Sequence, residues 1–189
     1  MNRPTYVVLA AGASTRMGFD KTVRRQRGLA PLERLALALA HRAAVVVVPT
    51  RLRHIASTMI PHATVVTNDE PSQGMTRSLH VALRAVDVAA PFGVLLGDMP
   101  AMTQATLLRT EALMETEIDV AFPVGIDGAP GHPVLFSARA RRVVEALAQG
   151  DTLRRARDDS SLTRATWTCT NRSAFLDLDV PAQWEAFHA

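Results

Sequence analysis

The sequence has no long apolar segment and almost no cysteine. No hydrophobic run approaches the roughly 20 residues that a membrane span needs, and "MNRPTYVV" at the start lacks the apolar core of a secretory signal. The single Cys169 cannot form an internal disulfide, and no cysteine or histidine cluster has the spacing of zinc ligands. We therefore expect a cytoplasmic protein without a structural zinc site and without membrane association.

Aromatic residues are also scarce, at 5% of the chain, and the formal net charge is only +3. The sequence thus lacks the interleaved aromatic and basic side chains that stack on nucleotides of a nucleic acid. Basic residues do crowd between Arg16 and Arg27, which fits either a solvated surface or a site for a polyanion. We expect no nucleic-acid partner.

Lysine is the rarest charged residue. Arginine accounts for 20 of the 21 basic residues, and Lys21 is the only lysine. It ends the stretch "LAAGASTRMGFDK", which follows the first β-branched run, so its glycines lie where backbone N–H groups after a strand can bind an anion. In a chain that otherwise uses arginine, one lysine at this place indicates a need for a compact ammonium group.

Two familiar phosphate loops are excluded by spacing. A Walker loop has four residues between its glycines and a lysine directly after the second, whereas five residues separate Gly12 from Gly18 and Lys21 comes three after Gly18. The dinucleotide fingerprint G-x-G-x-x-G is absent. The sequence therefore argues against a P-loop kinase and against a Rossmann dehydrogenase.

Short β-branched runs alternate with helical patterns along the chain. The runs are "TYVVLAA", "AAVVVV", "ATVVT", "FGVLLG" and "IDVAFP", and apolar residues recur at helical spacing after Pro31 and after Met75. This alternation predicts an α/β fold with a mostly parallel sheet covered on both faces, and such sheets bind ligands at the carboxyl ends of their strands. With 189 residues, 48% of them hydrophobic, and no linker, we expect residues 1–189 to form one domain.

The pattern changes after Gly125. The turn-rich "GIDGAPGHPVLF" leads to a strand, a helix follows around 139–149, and we expect the sheet to be mixed in this region. In "FLDLDV" the alternation of apolar and acidic residues predicts a strand with Asp177 and Asp179 on one face, where they can share a ligand.

The first loop resembles the signature L-A-A/G-G-x-S-x-R-M-G-x-x-K of nucleotidyltransferases that make nucleoside diphosphate conjugates. The fixed positions present here are Leu9, Ala10, Ala11, Gly12, Ser14, Arg16, Met17, Gly18 and Lys21. The resemblance implies a three-layer α/β/α Rossmann-like fold and a loop that wraps a triphosphate, with Arg16 and Lys21 as catalytic cations. Leu9 to Gly12 and Ser14 would bind the nucleotide.

Further segments resemble the molybdenum cofactor cytidylyltransferases, within the family that also includes molybdopterin guanylyltransferases. "NDEPSQGMTRSLHVAL" resembles the segment that contacts the base, which implies roles for Gly74 and Ser78, although Ser78 also fits an ordinary exposed helix residue. "VLLGDMP" resembles the metal-binding D-x-P, so Asp98 would be catalytic and bind Mg²⁺; a helix cap or a buried hydrogen bond is the alternative. Asp177 and Asp179 resemble the source of the second Mg²⁺ ligand, and the choice between them stays open.

Two later segments resemble the family's acceptor-binding region. "GAPGHP" implies that Gly131 and His132 lie near the acceptor, while a hydrogen-bonded loop histidine fits the sequence equally well. "GDTLRRARDD" keeps the family's arginine as Arg155 but replaces an internal Gly-Ala by Leu153 and Arg154.

The resemblance implies an enzyme that uses CTP and Mg²⁺ to transfer CMP to a phosphate monoester, molybdopterin above all, with release of pyrophosphate. Its product would pass to a molybdoenzyme or its chaperone. A guanylyltransferase, a sugar phosphate nucleotidyltransferase and a nucleotide-binding accessory or sensor protein without turnover remain alternatives, because a fold does not fix the chemistry.

Overall fold

The computed structural model describes residues 3–12, 18–25, 28–70, 73–115, 117–178 and 181–188. These ranges contain seven strands and seven α-helices. The strands are β1 (Thr5–Leu9), β2 (Ala44–Val48), β3 (Ala63–Thr67), β4 (Phe92–Leu96), β5 (Val120–Val124), β6 (Val134–Phe136) and β7 (Arg164–Thr168). The helices are α1 (Pro31–Leu39), α2 (Arg53–Met59), α3 (Gly74–Leu83), α4 (Gln104–Glu111), α5 (Arg141–Glu145), α6 (Leu153–Arg157) and α7 (Pro181–His188). None of these described helices has the length and hydropathy to cross a bilayer.

All seven strands form one sheet in the order β3-β2-β1-β4-β6-β5-β7. Neighbouring strands are parallel except at β6, which runs antiparallel to both β4 and β5. Six strands therefore end at one edge of the sheet, and β6 begins there. The predicted α/β fold with a mostly parallel, mixed sheet is confirmed.

Side-chain alternation along the strands builds two apolar layers. On β1, Tyr6 and Val8 belong to the cluster that includes Leu32 of α1 and Leu107 of α4. Val7 and Leu9 point the other way and join a second cluster, formed with residues of α3, α5 and α6. Burial on both faces explains why these strands read as continuous apolar runs rather than as alternating ones.

Two expectations for the carboxyl-terminal part are wrong in detail. The helix expected around 139–149 is confined to Arg141–Glu145. Residues 176–178 form no strand, because the Leu178 side chain is fully buried in a small cluster with Trp184 of α7. Its backbone N–H donates to the Asp98 carbonyl (3.2 Å) instead of entering a ladder.

The ends of β1 and β4 approach each other closely at Gly97. Its N–H donates to the Leu9 carbonyl (2.9 Å), and a Cβ at this position would lie 2.6 Å from the Ala10 Cβ and 3.2 Å from the Thr22 Cγ2. Only glycine therefore allows the residue before Asp98 to lie against the chain after β1.

We expect Gly97→Ala to lower the free energy of unfolding by about 1–3 kcal/mol, because the added methyl overlaps a backbone-linked carbon that cannot move away cheaply. Chemical denaturation measures this. Gly12→Ala is the control, since a Cβ there meets no atom within 4 Å. Equal stability of the two variants would contradict the close approach.

Candidate functional site

The carboxyl edge of the sheet brings the first loop and the end of β4 together. The Ala10 N–H donates to the Val47 carbonyl of β2 (2.8 Å), while Leu9 accepts from Gly97, so the chain leaving β1 is held between its two neighbours. Leu9, Ala10 and Ala11 are buried and Gly12 is exposed. The chain therefore passes from a buried strand to an exposed backbone at Gly12. Exposed backbone N–H groups are what a loop needs in order to bind an anion.

Lys21 and Asp98 form an ion pair at the centre of this edge. The Lys21 Nζ lies 2.5 Å from the Asp98 Oδ2, and the two side chains are only 12% and 14% exposed. Taking two charges this far out of water is costly unless they stabilise each other, and removing one partner from such a pair costs about 3–5 kcal/mol in other proteins. The predicted cation and the predicted metal ligand are therefore direct neighbours.

The chain after Lys21 is anchored to the sheet and to α1. The Thr22 carbonyl accepts a hydrogen bond from the Leu32 N–H (3.0 Å), and the Thr22 side chain is buried beside Gly97. These contacts fix the backbone on one side of Lys21, so that its four-carbon stem points to Asp98.

The second carboxylate oxygen of Asp98 is also buried. This Oδ1 accepts no hydrogen bond from any described residue, and such a group is unfavourable unless something else satisfies it. The Leu178 N–H donates to the Asp98 carbonyl, which brings the half-buried Asp177 alongside. Within the described ranges no three acidic, histidine or cysteine side chains cluster as metal ligands.

The segment predicted to contact a base begins α3. Gly74 opens the helix with φ of 80°, in the left-handed region. Ser78 is buried rather than exposed, and its Oγ accepts a hydrogen bond from the Asn68 Nδ2 (2.9 Å). The bond ties the end of β3 to the second turn of α3. Asn68 was missed at the level of sequence, because an asparagine after a strand is an ordinary loop signal.

Ala11 is 4% exposed and belongs to the same apolar cluster as Leu79 of α3. The Ala11 methyl group therefore helps to pack the first loop on α3.

Gly131 and His132 reach the same edge because β6 starts there. A Cβ at Gly131 would lie 2.6 Å from both the Ala174 carbonyl oxygen and the Phe175 ring, so the loop packs directly on the chain after β7. The His132 Nδ1 donates to the Val94 carbonyl (3.1 Å), which leaves the lone pair of a neutral ring on Nε2. Burial lowers the pKa of His132, and nearby Asp98 opposes this shift. His132 is thus both a hydrogen-bonded loop residue and a neighbour of Asp98.

Arg155 lies further out. Its side chain is 72% exposed and pairs with Asp151 (2.9 Å). Its neighbours Arg154 and Arg157 line a cavity of about 190 Å³ together with His132.

The structure therefore brings Lys21, Asp98, Asp177, Gly131 and His132 to one edge and leaves Arg155 at the rim. Ser14, Arg16 and Asp179 lie outside the described residues.

Comparison with known proteins assigns a family. A model described as the MobA-like NTP transferase domain matches residues 6–165. No curated protein matches the chain. Among solved structures, Rv0371c from Mycobacterium tuberculosis H37Rv is similar with 26% identity and a TM-score of 0.80, over 99% of this chain and 98% of the other. A manganese complex of that protein aligns with a TM-score of 0.78, at 24% identity over 98% and 97% of the two chains.

More distant structures share the fold. The molybdopterin-guanine dinucleotide biosynthesis protein A of Archaeoglobus fulgidus has 15% identity and a TM-score of 0.71, over 96% and 95% of the two chains. The 4-diphosphocytidyl-2C-methyl-D-erythritol synthase of Anaerococcus prevotii has 11% identity and a TM-score of 0.72, over 97% and 93%.

Lys21→Arg tests whether the compact ammonium matters. We expect the rate of nucleotidyl transfer to fall by ~10-fold or more, because the larger guanidinium group cannot take the place of Nζ in the buried contact with Asp98. Steady-state kcat and thermal unfolding are measured on the same preparation. Arg25→Lys is the control, because the Arg25 side chain, which pairs with Glu33, is 63% exposed. An unchanged rate in Lys21→Arg would leave Lys21 with only a structural role, as the buried partner of Asp98.

Proposed function

The chain belongs to the family of MobA-like NTP transferase domains, and we propose that it transfers CMP from CTP to a phosphate monoester, molybdopterin above all, with release of pyrophosphate. The observation that carries the proposal is the buried Lys21–Asp98 pair beside the exposed backbone of the first loop. The Lys21 ammonium group would bind phosphate oxygens. The Asp98 carboxylate, which is in contact with it, would bind a divalent metal ion.

The chemistry of Asp98 and Asp177 supports a proposed Mg²⁺ site, because Mg²⁺ prefers carboxylate oxygens. Asp98 Oδ1 is buried and accepts no hydrogen bond within the part of the chain that the structure describes, and Asp177 precedes the residue that bonds to the Asp98 carbonyl. Mg²⁺ is commonly held by one or two carboxylates plus substrate phosphates. The manganese complex of the similar M. tuberculosis protein supports a divalent cation here. When bound, Mg²⁺ would offset charge on the triphosphate and on the departing pyrophosphate.

The residues of the chain then have to hold two anions in line. The acceptor phosphate is itself a nucleophile, so the reaction needs no serine nucleophile or triad, only positioning and charge neutralisation. Lys21 and Arg16 would donate to phosphate oxygens as charge builds on them. Gly12 and Ser14 would bind phosphates through the loop, and the Gly74–Ser78 segment would hold the base.

The acceptor would enter next to Gly131 and His132. The Nε2 of a neutral His132 can accept a hydrogen bond from the acceptor, and it lies near Asp98 without adding a second positive charge. Arg155 at the rim would attract an anionic acceptor. We further propose that the product passes to a molybdoenzyme or its chaperone, and that the protein works in the cytoplasm.

The main alternative is a different base or acceptor. One structural neighbour is a guanine dinucleotide protein and another a diphosphocytidyl synthase, so the fold is compatible with both bases. A sensor without turnover would not need a carboxylate buried against its lysine, and this disfavours the non-catalytic alternative.

The choice of nucleotide is tested by pyrophosphate release with each NTP, Mg²⁺ and the same molybdopterin acceptor. We expect kcat/KM to be higher for CTP than for GTP. Ala11→Gly should weaken this preference without reversing it, because a single methyl discriminates by only ~1–3 kcal/mol and Ala11 is buried. A wild-type preference for GTP would favour a guanylyltransferase instead.

The cation site is tested by Asp98→Asn, which keeps the size of the side chain and removes its charge. Turnover should fall by at least ~100-fold, on the scale of losing one key electrostatic contact. Excess EDTA should abolish the activity of the wild type. Asp159→Asn, in an exposed turn that contacts Ser161, is the matched control. Near wild-type activity in Asp98→Asn, or turnover that survives EDTA, would remove the basis of the two-carboxylate site.

A further inference from the structure

The carboxyl-terminal helix α7 contributes to a small aromatic cluster that is separate from the two apolar layers of the sheet. The Trp184 side chain is only 2% exposed and packs with Leu178, and Phe19 and Phe187 are the partly buried members of the same cluster. Aromatic residues make up only 5% of the chain, yet three of them lie here. The proposed function gives none of these three aromatic residues a role.

Phe19 is held on α7 through contacts of its ring. The Trp184 ring meets it edge to face, with 5.3 Å between the ring centroids and 71° between the ring planes. The Arg24 guanidinium lies over the same ring, 4.0 Å from its centroid. Both arrangements are favourable beyond the burial of apolar area. α7 is in turn anchored on α1, because the Arg34 guanidinium lies 5.1 Å from the centroid of the Phe187 ring.

The aromatic cluster reaches both members of the Lys21–Asp98 pair. Phe19 lies two residues before Lys21, and two residues of extended chain span at most about 7 Å. Leu178, which is buried in the same cluster as Trp184, donates its N–H to the Asp98 carbonyl (3.2 Å). Trp184 therefore connects the segment that carries the ammonium group to the segment that holds the backbone of the carboxylate.

The other contacts of this part of the first loop differ in strength. The backbone after Lys21 is fixed at Thr22, whose carbonyl accepts from α1. Before Lys21, Asp20 pairs with Arg51, but the Arg51 side chain is 56% exposed, and an exposed ion pair contributes little. Among the described residues, the course of the chain before Lys21 therefore depends mainly on the contacts of Phe19 with the aromatic cluster.

We propose that Trp184 is a positioning residue for nucleotidyl transfer. By packing against both Phe19 and Leu178, it sets where the Lys21 ammonium group lies relative to the Asp98 carboxylate. When Lys21 exchanges Asp98 for a phosphate oxygen, the aromatic cluster keeps the two chain segments in place. The proposal rests on the proposed function for the roles of Lys21 and Asp98, but the link from Trp184 to Lys21 can be measured without turnover.

The kinetic test compares Trp184→Ala with Trp184→Phe. Trp184→Ala should lower kcat by ~10-fold with a smaller change in KM, because Lys21 is misplaced where charge builds in the transition state while the rest of the nucleotide still binds. Trp184→Phe keeps an aromatic ring and should recover most of the rate. Rates are expressed per folded molecule, with the folded fraction measured by circular dichroism at the assay temperature.

Trp167→Ala is the matched control. It removes the only other tryptophan of the chain, which also lies beneath an arginine, 4.7 Å from Arg109, but on the outer strand β7. The rate should be that of the wild type. If Trp184→Ala does not fold, Phe19→Leu takes its place, because Phe19 is only partly buried and leucine keeps an apolar side chain while removing the ring contacts.

A double-mutant cycle tests whether Trp184 acts through Lys21. Lys21→Arg already misplaces the positive charge, so adding Trp184→Ala should slow transfer by less than the product of the two single effects. A general loss of stability would instead leave the two effects multiplicative.

Trp184 also reports on the site without turnover. In Trp167→Phe it is the only tryptophan, and its fluorescence should change saturably when pyrophosphate and Mg²⁺ are added, because Lys21 then exchanges Asp98 for phosphate oxygens. Phe19→Leu in the same background should abolish most of this change, because the ring contact that links Trp184 to the first loop is lost.

Three results would each overturn the proposal: wild-type kcat in both Trp184→Ala and Phe19→Leu, multiplicative effects in the double variant, or an equal loss of rate in Trp167→Ala. A fluorescence change that depends on Phe19, in a protein that releases no pyrophosphate from any NTP, would support the positioning of Lys21 and refute the proposed transfer. Transfer from CTP that Trp184→Ala leaves unchanged, with a fluorescence signal that pyrophosphate does not alter, would do the reverse.

Discussion

The site depends on one electrostatic constraint, the contact between Lys21 and Asp98. Two opposite charges with about one-eighth of their side-chain surface exposed are stable only while each compensates the other. The contact requires the end of β4 to lie against the chain after β1, and glycine at position 97 makes this possible. Thr22, held by α1, keeps the lysine in place. Under the proposed function, a triphosphate with its cation would satisfy both charges, so the pair also keeps the site in a form ready for substrate.

The reversal of β6 gives the site its second half. In a fully parallel sheet the residues before a strand lie at the edge away from the ligand. Because β6 runs antiparallel to β4 and β5, the residues that precede it, Gly131 and His132, lie at the edge where the other strands end. Strand β1 therefore leads into the first loop, β4 leads to Asp98, and the reversed strand β6 is preceded by the loop that carries His132.

The chain after β7 connects this half to Asp98. It caps a short turn through Asn171, packs Phe175 on Gly131 and bonds Leu178 to the carbonyl of Asp98. A strand, as the alternation in "FLDLDV" suggests, would have used its backbone groups in a ladder. The irregular course instead lets Leu178 reach Asp98, and irregular segments on a rigid sheet are where binding sites are often built.

Local pattern by itself predicted five of the seven strands and singled out Lys21. The apolar runs predicted β1 to β5 because burial on both faces needs continuous hydrophobic residues, and the lone lysine predicted Lys21 because its chemistry differs from that of arginine. Only the tertiary structure decided that Lys21 contacts Asp98, that Ser78 is bonded to Asn68, and that Arg155 lies at the rim. It also replaced the expected strand at 176–178, because burial of Leu178 beside Trp184 outweighs a two-residue alternation. These outcomes depend on contacts between residues far apart in the chain, and spacing along the sequence carries no information on which distant partner a side chain meets.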